Sequence, residues 1–464
     1  MRHLTELPYH PDTASRFAPL ARRPWAVFLD SAREVGGSSA GRYDIVAADP
    51  SITLVTRGDV TEIRGPAGLS LSPQDPFELV RQALGDPVEP MPGLPFCGGA
   101  MGWFGYDLGR RIERLPRLAE DTERIPDMAI GIYDWSLVVD HVERRSWLVA
   151  AGRNPRTSAR WDELVADFRR PPVATREDAA FRATGPISPN MTRAQYDAAI
   201  GRIQSYILAG DCYQVNLAQR FSAPVVGDPW SAYTRLRALN PAPFSAFLST
   251  PFAQVLSSSP ERFLALRAGR VETRPIKGTR PRGADPEADA GLAGELAESP
   301  KDRAENLMIV DLLRNDLGRV CRPGTIRVPS LFQVEPYATV HHLVSTVTGN
   351  LAAGEDASAL LRACFPGGSV TGAPKIRAMQ IIEELEPHRR GVYCGAIGYL
   401  GFDGDMDTSI AIRTLVSSGG TARFWAGGGI VHDSVAEAEY QETFDKAAAL
   451  LRLLGGEAVG QMGR

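Results

Sequence analysis

The feature that most restricts how this chain can fold is the order of its apolar runs. Short stretches of β-strand character follow one another with only one helix among them. Residues 25–32 (WAVFLDSA), 43–50 (YDIVAADP), 52–65 (ITLVTRGDVTEIRG), 128–141 (MAIGIYDWSLVVDH) and 146–152 (SWLVAAG) read this way, and before residue 170 only DPFELVRQALG (75–85) reads as a helix. A parallel doubly wound sheet needs a helix-length crossover after each strand, so that architecture is disfavoured. The pattern predicts an α+β fold.

Residues 171–190 (PPVATREDAAFRATGPISPN) are rich in proline and small polar residues and read as a surface connection. They divide the chain into an amino-terminal region, 1–180, and a second region, 181–464. The second region mixes strand-like runs at 394–402, 408–418 and 422–431 with helices. Residues 191–211 place Tyr196, Ile200, Ile203 and Ile207 at helical spacing, and residues 299–319, 373–387 and 436–454 read as three strong helices. No fixed-period repeat is present, which excludes a solenoid.

At 464 residues, 44% hydrophobic and 23% charged, the chain can bury a large core. Its net charge of -4 gives no electrostatic reason to expect nucleic acid or an anionic membrane. The first residues lack the apolar run of a secretory signal, and no apolar run is long enough to cross a bilayer. The five cysteines are scattered and never spaced as CxxC, which fits a reducing compartment. A cytoplasmic protein is expected.

Several groups of residues point to chemistry. Ser299 reads as a helix N-cap with Pro300 and Asp302 behind it, and Asp302 and Glu305 share a helical face. Glu439 and Glu442 repeat that spacing, with Lys446 one turn further on. Two helices with paired carboxylates suit a hard divalent cation such as Mg²⁺; solvated acidic faces have the same spacing. FPGGSVTGAPKIRAM (365–379) places Ser369 and Thr371 in a glycine-rich loop before a helix, suited to a small carboxylate or simply to a tight turn. Gly427–Gly429 would let a ligand approach the backbone, and Arg413, if it faces inward, needs an anionic partner. Glu261 follows a Ser/Pro turn and is a candidate general acid. One of His341 and His342 should face the interior. Lys277, in TRPIKGTRPRG, sits among arginines; crowding by cations or desolvation would make its amine a nucleophile, whereas most lysines are solvated.

In order along the chain, DCYQVNLAQRF, SSSPERF, PIKGTRPRG, KDRAENLMIVDLLRNDLGR, VHHLVS, FPGGSVTGAPKIRAM, DTSIAIRT, AGGGIVHDS and EAEYQETFDK together resemble the chorismate-utilising enzymes. These comprise anthranilate synthase component I, the isochorismate and salicylate synthases, and aminodeoxychorismate synthase component I. The resemblance implies the anthranilate synthase fold, two large β-sheets packed together with helices outside. PIKGT resembles the aminodeoxychorismate synthase subgroup, since anthranilate synthases typically carry alanine where this chain has Lys277. Gln214 stands where isochorismate and salicylate synthases carry a water-activating lysine.

The resemblance further implies amination of chorismate at C4, with Lys277 as covalent nucleophile and Glu261 as the acid that protonates the departing hydroxyl. It assigns Mg²⁺ to Glu305 and Glu442, with Asp302 and Glu439 as nearby ligands or water-holders. It places Gln214, His342, Ser369, Thr371, Tyr393, Arg413, Gly427 and Lys446 around the substrate. A glutaminase subunit would supply ammonia. In relatives the amino-terminal portion holds a tryptophan pocket, and FLDSA (28–32) stands where it begins; the residues leave its presence here open. Anthranilate synthase component I is the alternative enzyme. A tryptophan-binding regulatory subunit without catalysis is the alternative of another class, against which the intact acids, Lys277 and Arg413 speak.

Overall fold

The computed structural model describes residues 2–32, 41–170, 180–337 and 340–455. Two large sheets built from antiparallel ladders form the body, one of thirteen strands and one of twelve among the described residues. The larger runs in the order His3–Leu7, Arg145–Ala150, Trp135–Asp140, Tyr43–Ala47, Ala26–Asp30, Phe244–Ser249, Gln254–Ser259, Thr414–Ser418, Thr421–Ile430, Gln214–Val226. The second begins Ile276–Pro281, Val340–Asn350, Arg270–Thr273, Arg262–Arg267, Met406–Ile410, Ala396–Gly401 and continues through Gly99–Phe104 and Met128–Tyr133. Each sheet thus takes strands from both sides of residue 180.

Between the sheets lies a core of Val27, Ala246, Val255 and Val416 from one and Met101, Trp103, Ile397 and Tyr399 from the other. Each large apolar side chain buried there contributes about 1.5–3 kcal/mol. Helices cover the outer faces. Trp230, Tyr233 and Leu236 of the Pro229–Leu239 helix and Phe444 and Leu450 of the Ala436–Leu453 helix pack on the larger sheet. On the second sheet Phe77 stacks against Phe104, ring centroids 5.5 Å apart. The expected α+β architecture of two packed sheets with helices outside is what the chain adopts.

Two expectations need correction, and a third lies partly outside the described residues. The helices Trp161–Arg169, Pro229–Leu239, Pro286–Glu298 and Ala357–Cys364 were not expected. The run 408–418 is two strands, Met406–Ile410 and Thr414–Ser418, broken at Arg413, whose φ is +52°. The surface connection at 171–190 lies outside the described residues over 171–179; beyond it Arg182–Ala183 and Ser188–Pro189 pair with the Gln214–Val226 strand.

That strand has an unusual outer edge. Gln214 and Val215 pair with Ala373 and Gly372, and Phe221 and Ser222 with Pro189 and Ser188. Between those pairings, side chains and a loop satisfy its backbone. Asn216 N donates to Thr371 O (2.8 Å), Ala218 N to Glu386 (2.9 Å) and Arg220 N to Asn190 Oδ1 (2.7 Å), while Asn216 O accepts from Arg390 (2.8 Å).

Candidate active site

Lys277 lies on the Ile276–Pro281 strand, where pairing with Val340–Asn350 shifts register between Ile276 and Thr279. Gly278, at φ +81°, makes the turn possible; a Cβ there would meet Leu296 at 2.8 Å and Asp302 at 3.0 Å. The Lys277 Nζ points inward and donates to Ser369 O at 3.2 Å. Burial pulls the lysine below its usual value, Lys446 pulls the same way, and Glu305, Glu261 and Glu442 oppose them. The neighbouring arginines do not take part. Arg274 pairs with Glu335, Arg280 with Glu295 (2.8 Å) and Asp302 (3.3 Å), and Arg282 with Asp289 (2.7 Å). Desolvation, not crowding by adjacent cations, tunes this amine.

Glu261 follows the Gln254–Ser259 strand and is 5% exposed. Burial pushes its carboxyl up to about 7, against hydrogen bonds from the Ser369 side chain and the Ile276 backbone and the charges of Lys277 and Lys446. A carboxyl that still holds a proton near neutrality can deliver it to a leaving hydroxyl. Ser369 therefore serves both groups: its carbonyl receives Lys277, and its side chain opposes the upward push of burial on the Glu261 carboxyl.

The acids lie on two helices. Pro300–Gly318 begins as its sequence dictates, with the Ser299 hydroxyl accepting from Asp302 N (3.3 Å), and presents Asp302 and Glu305. Ala436–Leu453 presents Glu439, Glu442 and Lys446 against Gly428: a Cβ on that glycine would lie 3.1 Å from Glu439 Oε2, 3.6 Å from Glu442 Oε1 and 3.7 Å from Lys446 Nζ. Burial raises Glu305 and Glu439, reinforced by Asp302 and Glu439 on the first and by Glu442 on the second. Burial also pushes Glu442 up, but Lys446, 2.5 Å away, with Lys277 and Lys301, outweighs it and holds that carboxyl low.

The donor set is all oxygen, and burial and neighbouring carboxylates raise Glu305 and Glu439, a strain that a divalent cation would relieve; both fit Mg²⁺. In this arrangement lysines engage the acids: Lys446 takes Glu442, and Lys301 lies 3.9 Å from Glu439, which also accepts from Ser434 (2.7 Å). Among the described residues no three acidic, histidine or cysteine side chains are gathered tightly enough to hold an ion. Asp302 is turned toward Arg280.

The remaining residues surround this centre to different degrees. Gln214 is 1% exposed, and among the described residues its Oε1 has no hydrogen-bond partner; a Cβ on Gly429 would fall 1.8 Å from its Nε2. His342 is buried, bonds Thr279 (3.0 Å) and is held neutral, pushed down to about 3 by burial and by Arg413. His341 is buried as well, on Asp289 (2.8 Å). Arg413 turns inward, donates to Lys446 O (3.2 Å) and is lowered by burial; among the described residues no carboxylate is bonded to it. Lys446 also donates to Gly427 O (2.8 Å). Tyr393 is buried and stacks on Trp425, centroids 5.9 Å apart. Thr371 is fully buried and donates to Gly367 O (3.0 Å), so its hydroxyl shapes the loop itself.

With this geometry in view, residues 36–452 match the family described as chorismate binding enzyme. The chain belongs to that family. Aminodeoxychorismate synthase component 1 of Klebsiella aerogenes is 53% identical over 97% of this chain and 98% of its own length. Anthranilate synthase component 1 of Thermus thermophilus is 42% identical over 94% of both chains. The crystal structure of anthranilate synthase component I from Streptococcus pneumoniae superposes with a TM-score of 0.78 at 35% identity, covering 88% of this chain and 91% of that one. The two-sheet body is therefore the anthranilate synthase component I fold.

Sequence reasoning about this chorismate-binding enzyme missed Lys301 beside Glu439, the aromatic floor of Trp425, and two buried ion pairs, Lys375–Asp316 (2.6 Å) and Arg390–Glu386 (2.6 Å). Lys375 stands in the quoted loop motif and was the available signal; its Nζ also reaches Cys364 O (2.8 Å), anchoring the loop's start. The FLDSA run leads to a separate cavity of about 340 Å³, lined among others by Leu29, Asp30, Tyr43, Phe244 and Arg262 and by none of the candidate catalytic residues. All five cysteines are free and buried, and among the described residues no helix is long and apolar enough to cross a membrane.

Proposed function

We propose that this protein replaces the C4 hydroxyl of chorismate with ammonia, giving 4-amino-4-deoxychorismate on the way to 4-aminobenzoate and folate. The observation that carries this reading is a desolvated Lys277 amine sharing Ser369 with a Glu261 carboxyl raised to about 7. Lys277 attacks ring carbon C2, the double bonds shift, and the C4–O bond breaks as Glu261 protonates the oxygen, releasing water. Ammonia then bonds to C4, the double bonds return, and the C2–N bond to Lys277 breaks. Two such displacements retain configuration at C4. Gln214 cannot serve as a base for water, which favours amination over hydration.

Glu305 and Glu442, with Asp302 and Glu439 beside them, would hold Mg²⁺, whose charge would neutralise the ring carboxylate. His342, Ser369, Thr371, Tyr393, Arg413, Gly427 and Lys446 frame the substrate, Arg413 and Tyr393 toward its enolpyruvyl carboxylate. The relatives named as component 1 support a second component, which we take to be a glutaminase that supplies ammonia in the cytoplasm. Tryptophan is the proposed occupant of the 340 Å³ cavity beside Asp30.

Purified protein with chorismate, ammonium and Mg²⁺ should form 4-amino-4-deoxychorismate without releasing pyruvate. Fluorescent anthranilate with stoichiometric pyruvate would instead support the anthranilate synthase reading.

A further inference from the structure

The loop that carries Ser369 is held from behind by a residue that touches neither Lys277 nor Glu261. Arg390 is 1% exposed, and its guanidinium makes four hydrogen bonds. Nε and Nη2 grip the two oxygens of Glu386 (2.9 and 2.6 Å), Nη2 also reaches Asn216 O (2.8 Å), and Nη1 reaches Val370 O (2.8 Å). The Tyr106 ring covers its face, with Cζ 4.8 Å from the centroid. Glu386 in turn accepts from Ala218 N (2.9 Å), so the pair closes the stretch of the Gln214–Val226 edge between its two short strand pairings.

Val370 is the residue after Ser369. Its carbonyl is fixed by Arg390, and the next residue, Thr371, is fixed by Asn216 N (2.8 Å). Lys277 takes the Ser369 carbonyl (3.2 Å), and the Ser369 side chain acts on the Glu261 carboxyl. We infer that Arg390 is a positioning residue for the amination: by clamping Val370 to the sheet edge it holds Ser369 between the nucleophile and the acid. A planar fork is required, because one cation must reach a carboxylate and two carbonyls in different directions at once. A structural ion pair alone needs only compensated charge, and apolar replacement of such a pair is often tolerated. The carbonyl contacts are what make this pair more than that.

The inference rests on the proposed amination, and the two fail differently. Wild-type protein that does not aminate chorismate defeats the function; wild-type and variants that aminate equally defeat the inference. Two variants are measured with chorismate, ammonium and Mg²⁺: Arg390→Lys, which keeps the charge and loses the fork, and Arg390→Gln/Glu386→Gln, which leaves no lone buried charge. Both should show kcat reduced by about 10²-fold with the chorismate KM changed by less than about threefold. Ser369→Ala added to either should cost less than the product of the separate losses, since both act through one residue. Wild-type kcat in a folded variant, a raised KM at unchanged kcat, or independent multiplication with Ser369→Ala would each overturn it. Failure of both variants to fold would also overturn it, making Arg390 a determinant of the fold rather than of the site.

Discussion

Lys446 Nζ lies 2.5 Å from Glu442 Oε1 and donates to Gly427 O at 2.8 Å, so one cation ties the carboxylate helix to the glycine strand beneath it. The same cation helps keep Lys277 below its usual value, after the larger effect of burial. Lys446→Met removes that repulsion and leaves Glu442 free to favour a protonated Lys277. Amine attack needs the neutral form, so the acid limb of the kcat–pH profile should move to higher pH. Amination at neutral pH should fall by about tenfold or more. An unmoved limb would show that Lys446 acts elsewhere.

Glu261→Gln should lower kcat by about 10²–10⁴-fold and abolish the decline in wild-type activity above pH about 7, where the carboxyl loses its proton. The same substitution should change stability with the opposite sense. The folded value is raised above the ordinary one of 4.5, so the stabilising contribution is complete below that pH and disappears as pH rises through about 7. Thermal melts without substrate should therefore find Glu261→Gln more stable than wild type at pH 8, by on the order of 3 kcal/mol, and no such gain at pH 4.5.

Gly429→Ala directs a Cβ to 1.8 Å from Gln214 Nε2, backed by the strand pairing of Gly429 with Asn216. Gln214 must leave its place, so amination should fall by at least about 10²-fold. Gly420→Ala, in the turn before the same strand, meets nothing within 4 Å of its new Cβ but adopts φ +73°, and should cost stability with kcat unchanged. Steady-state kinetics and melting curves on the two variants separate crowding from backbone strain.

Much of this was legible in the residues because the signals are local. Ser299 and Pro300 announce their helix, and strands that do not alternate regularly with helices announce an α+β fold rather than a parallel doubly wound sheet. The Pro286–Glu298 helix was hidden because it is nearly all small or acidic and buries only Leu296, leaving no periodic apolar stripe. That desolvation rather than crowding lowers Lys277 was not legible for another reason. Its acceptor Ser369 is 92 residues away, and its adjacent arginines, prominent in the sequence, are spent on carboxylates of their own. Arg413 misled in a third way: its run has the apolar spacing of a strand, yet a left-handed backbone at that residue breaks the run and turns the guanidinium toward Lys446.

The covalent role of Lys277 is tested most directly by intact-protein and peptide mass spectrometry of protein quenched with chorismate and Mg²⁺ in the absence of ammonia, with Lys277→Ala as the control. The account predicts an adduct of chorismate less one water, located on Lys277, absent from the control and discharged by added ammonium as 4-amino-4-deoxychorismate appears. An unmodified Lys277 at every quench time, in protein that aminates chorismate once ammonium is added, would contradict it.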